Sequence, residues 1–333
     1  MVGPSSLKGH GLLGIEQLLA DGLKRSGITA TVNAKLAING KLRRSRESGS
    51  YFLSIQIVDE YDEIQVDFDF GVPIGSDDLG RIAGISFDVS EIDGGEVGKR
   101  ESVLFAEIQS PGPAIKKNLT IPTTNSRFGL EVLVRSIPRK PYAKAELAFV
   151  PIAFGEEYIV RLHNDSAQEI AAELFVDGLS CVHFSKPKIS SYFIIGPHSH
   201  LDLKGWITTR KKAKAFRVTP AEDSLAAKLG RYEQIGIITA NFRFCWQEGD
   251  EVPSAEPAKN NSSIVYRPVG TDIKDISGRR FEIYKLHPTR LTSSGRAGTT
   301  FGSDINVDFS GVSRVIGKVQ SSVTLRYDRP ASK

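Results

Sequence analysis

Hydrophobic and polar positions change their period along the chain. Between residues 12 and 26 apolar side chains recur at three- and four-residue steps, at Leu12, Ile15, Leu19 and Leu23, with Leu18 widening the stripe. That spacing lines one face of an α-helix. Lys24 and Arg25 fall in its last turn, and Gly27 follows as a stop signal. From Ala34 onward the period becomes two. Ala34, Leu36 and Ile38 alternate with their neighbours, as do Tyr51, Leu53, Ile55 and Ile57, then Ile64, Val66, Phe68 and Phe70. The alternation predicts three half-buried strands. The short acidic connection 59–63 joins the second and third as a hairpin, and the basic connection 41–49 reads as an exposed loop. The unit is a small α+β arrangement, a helix on one face of an antiparallel sheet.

Two further apolar runs, Ile82 to Val89 and Val103 to Ile108, flank an Asp93-Gly94-Gly95 turn signal. Ser110-Pro111-Gly112-Pro113 then reads as a linker, which sets a first domain over residues 1–110 and a second over 120–330. Beyond the linker, strand patterns come at short spacing: 128–134, 158–162, 170–176, 192–195, 201–206, 215–218 and 235–245. Asn164-Asp165-Ser166, Asp177-Gly178 and Gly196-Pro197 punctuate them. Such spacing predicts an antiparallel β-sandwich. One helical stretch, Ala221 to Leu229, starts after Pro220 and stops at Gly230. Residues 248–262 read as an exposed loop. Val319 to Tyr327 alternates again, as a strand that either closes its own sandwich or adds to a neighbour's sheet, with closure preferred. The fold class is therefore mainly β: a small α+β domain followed by a sandwich.

Composition narrows the classes without choosing among them. With 40% hydrophobic and 25% charged residues, the chain is neither disordered nor collagen-like. No apolar run approaches the roughly 18 residues of a membrane span. Cys181 and Cys245 both sit in strand patterns and are expected as free, buried thiols. The start, Met-Val-Gly-Pro-Ser-Ser-Leu-Lys, lacks the pattern of a signal peptide, so a cytoplasmic location is expected, or an extracytoplasmic one if an export signal was removed. The Asn-x-Ser/Thr triplets at Asn118, Asn164, Asn260 and Asn261 carry little weight in a chain this long.

Candidate chemistry is sparse. His198-Ser199-His200 could supply half a metal site, but beside Gly196-Pro197 it reads as a solvated turn, and no metal is expected. The chain has no nucleophile elbow, His-Glu-x-x-His or phosphate-binding Gly-Lys-Ser/Thr motif, and no cofactor is expected. Asp67 and Asp69 share one face of a strand and read as its solvent side. Two basic runs stand out, Lys41 to Arg46 and Arg210 to Lys214. Arg43, Arg44, Arg46, Arg210, Lys211, Lys212 and Lys214 are the residues that could contact a polyanion. Residues 260–333 carry 12 basic and 6 acidic side chains, whereas the remainder is slightly acidic. No nucleic-acid fold signature accompanies these charges.

The ordered set Leu174-Phe175-Val176-Asp177-Gly178-Leu179, Leu203-Lys204-Gly205-Trp206, Ser224-Leu225-Ala226-Ala227 and Ile235-Gly236-Ile237-Ile238, ending Val323-Thr324-Leu325-Arg326-Tyr327-Asp328, resembles an uncharacterised bacterial β-sandwich module over about 120–330. The resemblance implies a fold and no activity. More loosely, the N-terminal unit looks like the α/β domain of outer-membrane lipoproteins that assist peptidoglycan synthases or curli secretion. The lipidated cysteine of those proteins is absent here.

Three functions follow in order. The first is a non-enzymatic binding or assembly protein acting through protein contacts or self-association. The second is an enzyme or ligand-binding protein with a site between the domains, where His163, Asp165 and His183 flank strand ends. The third is a polyanion or nucleic-acid binder using the basic loops.

Overall fold

The computed structural model describes residues 36–44, 51–59, 61, 63–74, 84–109, 112–144, 147–231, 234–256 and 296–328. The expected helix over 12–26 lies outside these residues. Strands account for 50% and helices for 8%, so the chain is mainly β.

The first sheet is antiparallel and three-stranded: β1 (Leu36–Arg44), β2 (Tyr51–Asp59) and β3 (Ile64–Ile74), in that order. Its register pairs Ile38 with Ile57, and Ile57 in turn with Val66, and the β2–β3 register shifts at each end. Lys41 to Arg44 complete β1 rather than open a loop, because each pairs with a β2 residue from Ser54 to Tyr51. Asp67 and Asp69 pair with Gln56 and Ser54.

The second sheet gathers β4 (Phe87–Asp88), β9 (Tyr142–Lys144), β10 (Leu147–Pro151), β12 (Ile170–Val176), β13 (Leu179–Ser180), β14 (Phe193–Ile195), β18 (Ile237–Trp246) and β20 (Val315–Asp328). Its path runs β13-β12-β18-β20-β10-β9, with β14 beside β12 and β4 beside β20. β20 is therefore an interior strand. It pairs with β18 along its length, with β10 in parallel at its end, and with β4 at Ser321 and Ser322. The expectation that this run closes a sheet of its own chain agrees with that placement.

The third sheet comprises β5 (Ala114–Lys116), β6 (Leu119–Ile121), β7 (Phe128–Val134), β8 (Ile137–Pro138), β11 (Glu157–Asn164), β15 (Ser199–Leu203), β16 (Gly205–Thr209), β17 (Lys212–Pro220) and β19 (Ala297–Asn306). Its path is β16-β17-β11-β7-β6-β5, with β15 beside β11, β19 beside β17 and β8 beside β7. The single strand expected over 201–206 is two, broken at Lys204, where the chain passes from pairing with β11 to pairing with β17.

One apolar cluster joins the two large sheets. Leu130, Val132, Val160, Leu162, Trp206 and Phe216 of the third sheet meet Leu174, Phe242, Val323 and Leu325 of the second. Trp206 is fully buried, sets its ring edge-on to Phe216 at 5.2 Å, and donates its indole N–H to the Thr300 carbonyl at 3.4 Å. Phe242 of the second sheet stacks on Phe128 of the third at 5.2 Å.

The run Val103 to Ile108 belongs to a helix, α1 (Val97–Gln109), not a strand. Arg100 fixes that helix to the second sheet. Its buried guanidinium donates to the carbonyls of Val89, Ile92 and Ala255 and to the Gln320 side chain on β20, at 2.7–3.1 Å. The helix expected over 221–229 is a 3-10 turn, Ala221–Asp223, followed by a short α2 (Leu225–Lys228). Ser224 caps α2 by accepting the Ala227 amide, and Gly230 ends it at φ +71°.

Candidate functional site

β11 shows how the sequence builds the site. Tyr158, Val160, Leu162 and Asn164 are buried, while Glu157, Ile159, Arg161 and His163 lie on the opposite face. Register then lines up neighbours on that outer face. His163 pairs with Gly129 of β7 and His200 of β15; Arg161 pairs with Glu131 and Asp202 of the same two strands. Two polar rows thus cross the sheet side by side.

The Arg161 row is an ion cluster. Its guanidinium meets the Asp202 carboxylate in a two-point contact at 2.6 and 2.9 Å, and lies 3.7 Å from Glu131. The hydrogen bonds from Arg161 hold the Asp202 carboxyl below its usual range. In the next row His163 Nε2 faces Glu131 at 3.5 Å, buried and without a hydrogen-bond partner. Burial pulls His163 below the ordinary imidazole range, Glu131 pulls it upward, and His200 and Arg161 add to the downward pull. The His163 and His200 rings stand 5.8 Å apart.

Beside this row opens a cleft of about 300 Å³, lined by His163, His198, His200, Asp165, Lys116 and Arg127 among others. Gly129 makes room for its floor. A Cβ there would come within 2.7 Å of Leu119, so only glycine lets the β6 side chain lie across β7. Asn164 holds the rim in place. Its buried amide donates to the carbonyls of Gln168 and Gly196 at 2.8 and 2.9 Å, and its oxygen accepts from the Ser166 amide and hydroxyl. Two loops, β11–β12 and β14–β15, therefore meet at one side chain. Asn164 is no exposed glycan acceptor.

His198 sits at φ +48° in the turn before β15, and its Nδ1 lies 3.4 Å from Asp165. His200, expected in the same turn, stands on the strand. Of the three residues expected to flank an interdomain site, His163 and Asp165 line this cleft within the third sheet. His183 does not; its ring packs edge-on against Phe184.

The basic residues are dispersed. Arg210 and Lys211 form the two-residue turn between β16 and β17, exposed together with Lys212. Lys214 pairs with Asp304 at 2.8 Å. Arg43 and Arg44 end β1, and Arg46 lies outside the described residues. Among the described residues no group of three or more His, Cys, Asp or Glu is arranged to hold a metal ion. No described helix is long and apolar enough to cross a membrane.

A second polar centre lies inside the core. Asp177 and Gly178 both have positive φ, as a two-residue β12–β13 hairpin turn requires. The Asp177 carboxylate is buried. It accepts from the Gly236 amide at 2.8 Å, the Thr299 amide at 2.6 Å and the Tyr327 hydroxyl at 2.5 Å. Complete burial outweighs these donors and pushes the carboxyl up to about 7. Thr299 bonds in turn to Tyr158, so β11, β19, β20 and the hairpin share one network. The sequence marks Asp177 only as a turn residue.

No family model, curated protein or solved structure matches the chain.

Proposed function

We propose that residues 84–328 form a β-sandwich binding module, with a separate small unit before it, and that the protein acts by holding an acidic segment of a partner protein rather than by catalysis. The observation that carries this reading is the lining of the histidine cleft. Three imidazoles, Lys116 and Arg127, the last already paired with Glu91 at 3.0 Å, surround one carboxylate, Asp165. Histidines gain charge as pH falls, so such a cleft attracts carboxylates more strongly in mild acid. Of its two serine hydroxyls, that of Ser126 is already bonded to Asp88. Asn164 fixes the loops in advance, which lowers the ordering cost of binding. Two unpaired cysteines support a reducing compartment such as the cytoplasm. The resemblance to a bacterial sandwich module supports the fold part of the reading alone.

Fluorescence anisotropy with a labelled poly-glutamate peptide tests it. Binding is expected to tighten at least about tenfold from pH 7.5 to 5.5, and to weaken with salt as charged contacts are screened. A Lys116→Ser/His198→Ala/His200→Ala variant should lose that gain. An Arg210→Ser/Lys211→Ser/Lys212→Ser variant should keep it. Equal loss in the hairpin variant alone, or pH-independent binding, rejects the cleft.

A further inference from the structure

The opposite end of β11 carries a second, larger recess. It measures about 610 Å³ and is lined by residues of the β7–β8 turn, the segment 154–159, Lys204, Ala215 and Ile305. We infer that this recess binds a small aliphatic carboxylate of the medium-chain fatty-acid kind, its tail on the apolar floor and its head between Arg135 and Lys204.

The floor and the rim differ in character. Phe154, Ile159, Ala215 and Ile305 supply the apolar part of its lining; Phe154 and Ile305 pack inward against the core cluster, and they and Ile159 stay half-buried. Four charged groups ring it, two of each sign. Both carboxylates are engaged elsewhere. Glu156 pairs with Arg139 at 2.6 Å and accepts the Ala153 amide at 2.8 Å. Glu157 pairs with Arg217 at 3.0 Å and accepts both the amide and the hydroxyl of Ser303. Neither cation makes an ion pair among the described residues, although Lys204 feels the charge of Asp202. The unspent charge of the recess is therefore positive, over an apolar floor, which is the complement of an amphipathic anion.

The backbone supports the choice of Arg135 as one arm. Arg135 and Ser136 stand at φ +53° and +62° in the two-residue β7–β8 turn. Asn-Gly or Asp-Gly would fill that turn with less strain. An arginine held there against its own preference points to use of its guanidinium rather than to the turn alone.

The site stands apart from the histidine cleft and does not depend on it. Isothermal titration of the full chain with octanoate is the test. Saturable one-to-one binding is expected, at least fivefold tighter than for octanol, which keeps the tail and lacks the charge. Arg135→Gly removes the cation while suiting the positive φ, so it should weaken octanoate at least fivefold with an unchanged or higher melting temperature. Lys204→Gln should act in the same direction, and His200→Ala should leave octanoate binding unchanged. Octanol bound as well as octanoate, or undiminished binding in the Arg135→Gly/Lys204→Gln double variant, overturns the site. A short peptide ending in a leucine carboxylate that binds tighter than octanoate, with its amide form silent, overturns the fatty-acid assignment in favour of a chain end.

Discussion

Asp177 is the residue on which most depends. Its carboxyl keeps a proton up to about pH 7, whereas an unfolded aspartate releases it near about pH 4. Between those values the native state binds more protons than the unfolded one. The stability tied to this group is thus full below about pH 4 and is lost as pH rises through about 7. Asp88 and Glu107 are raised by burial in the same direction and add to the slope. Chemical denaturation across pH 4–7 should show a decline that is shallower, not absent, in Asp177→Asn; an equal slope in both proteins rejects the assignment. Asp177→Ala leaves the Gly236 and Thr299 amides without their acceptor, at about 1–3 kcal/mol each. The cysteines give a second check. Both thiols are free and buried, and burial pushes Cys245 up to about 12 and Cys181 higher. Labelling at pH 8 should be slow in the native chain and reach two equivalents on unfolding. Zero equivalents without reductant would reveal a disulfide.

Among the elements, β20 has the widest reach. It is flanked by β18 on one side and by β10 and β4 on the other, and it carries the Gln320 contact to Arg100. Removing it would break three ladders and cut the tie to α1 together. Deletion of residues 319–333 should abolish cooperative unfolding of the two-sheet body or leave it aggregated. A truncated chain with an unchanged melting transition would show that β20 lies outside the core. If that chain instead stayed folded but lost a larger assembly, the strand would be an intermolecular contact.

At the scale of the whole molecule, the division of the chain follows hydrogen bonds rather than composition. Pro and Gly at 111–113 suggest a linker near 110, but β4 pairs with β20 and α1 is held by Arg100, so residues 84–109 share contacts with the last strand. A fragment spanning 84–333 should therefore keep the near-ultraviolet circular dichroism and cooperative melting of the two-sheet body. A fragment starting at 112 should lose several degrees of melting temperature. Equal behaviour of the two fragments would restore the boundary near 110.

Local chemistry is written in the sequence, and the sequence by itself determined most of the strands. Period-two alternation marked β1, β2, β3 and β11, the Asp-Gly pair marked a hairpin turn, and Pro220 with Gly230 bracketed a helical stretch, whose α-helical part the structure starts only after Ser224. These depend on neighbours within a few positions, where side-chain direction and φ preference decide the outcome. Tertiary structure decided everything that depends on register between distant strands. His163 meets His200 across 37 positions of chain because β11 and β15 pair at that offset. Gly129 admits Leu119 only once β6 lies beside β7, and Arg135 and Lys204 line one recess only because both border the same end of β11. An alternating pattern states that a strand has two faces; it does not state which strand lies opposite. That choice rests on the shared core of Trp206, Phe216, Phe242 and Val323, whose packing selects one register out of many. The candidate sites are products of that selection: the sequence singles out His163, Asp165, His198 and His200 one by one, and only register brings them together with Lys116 and Arg127.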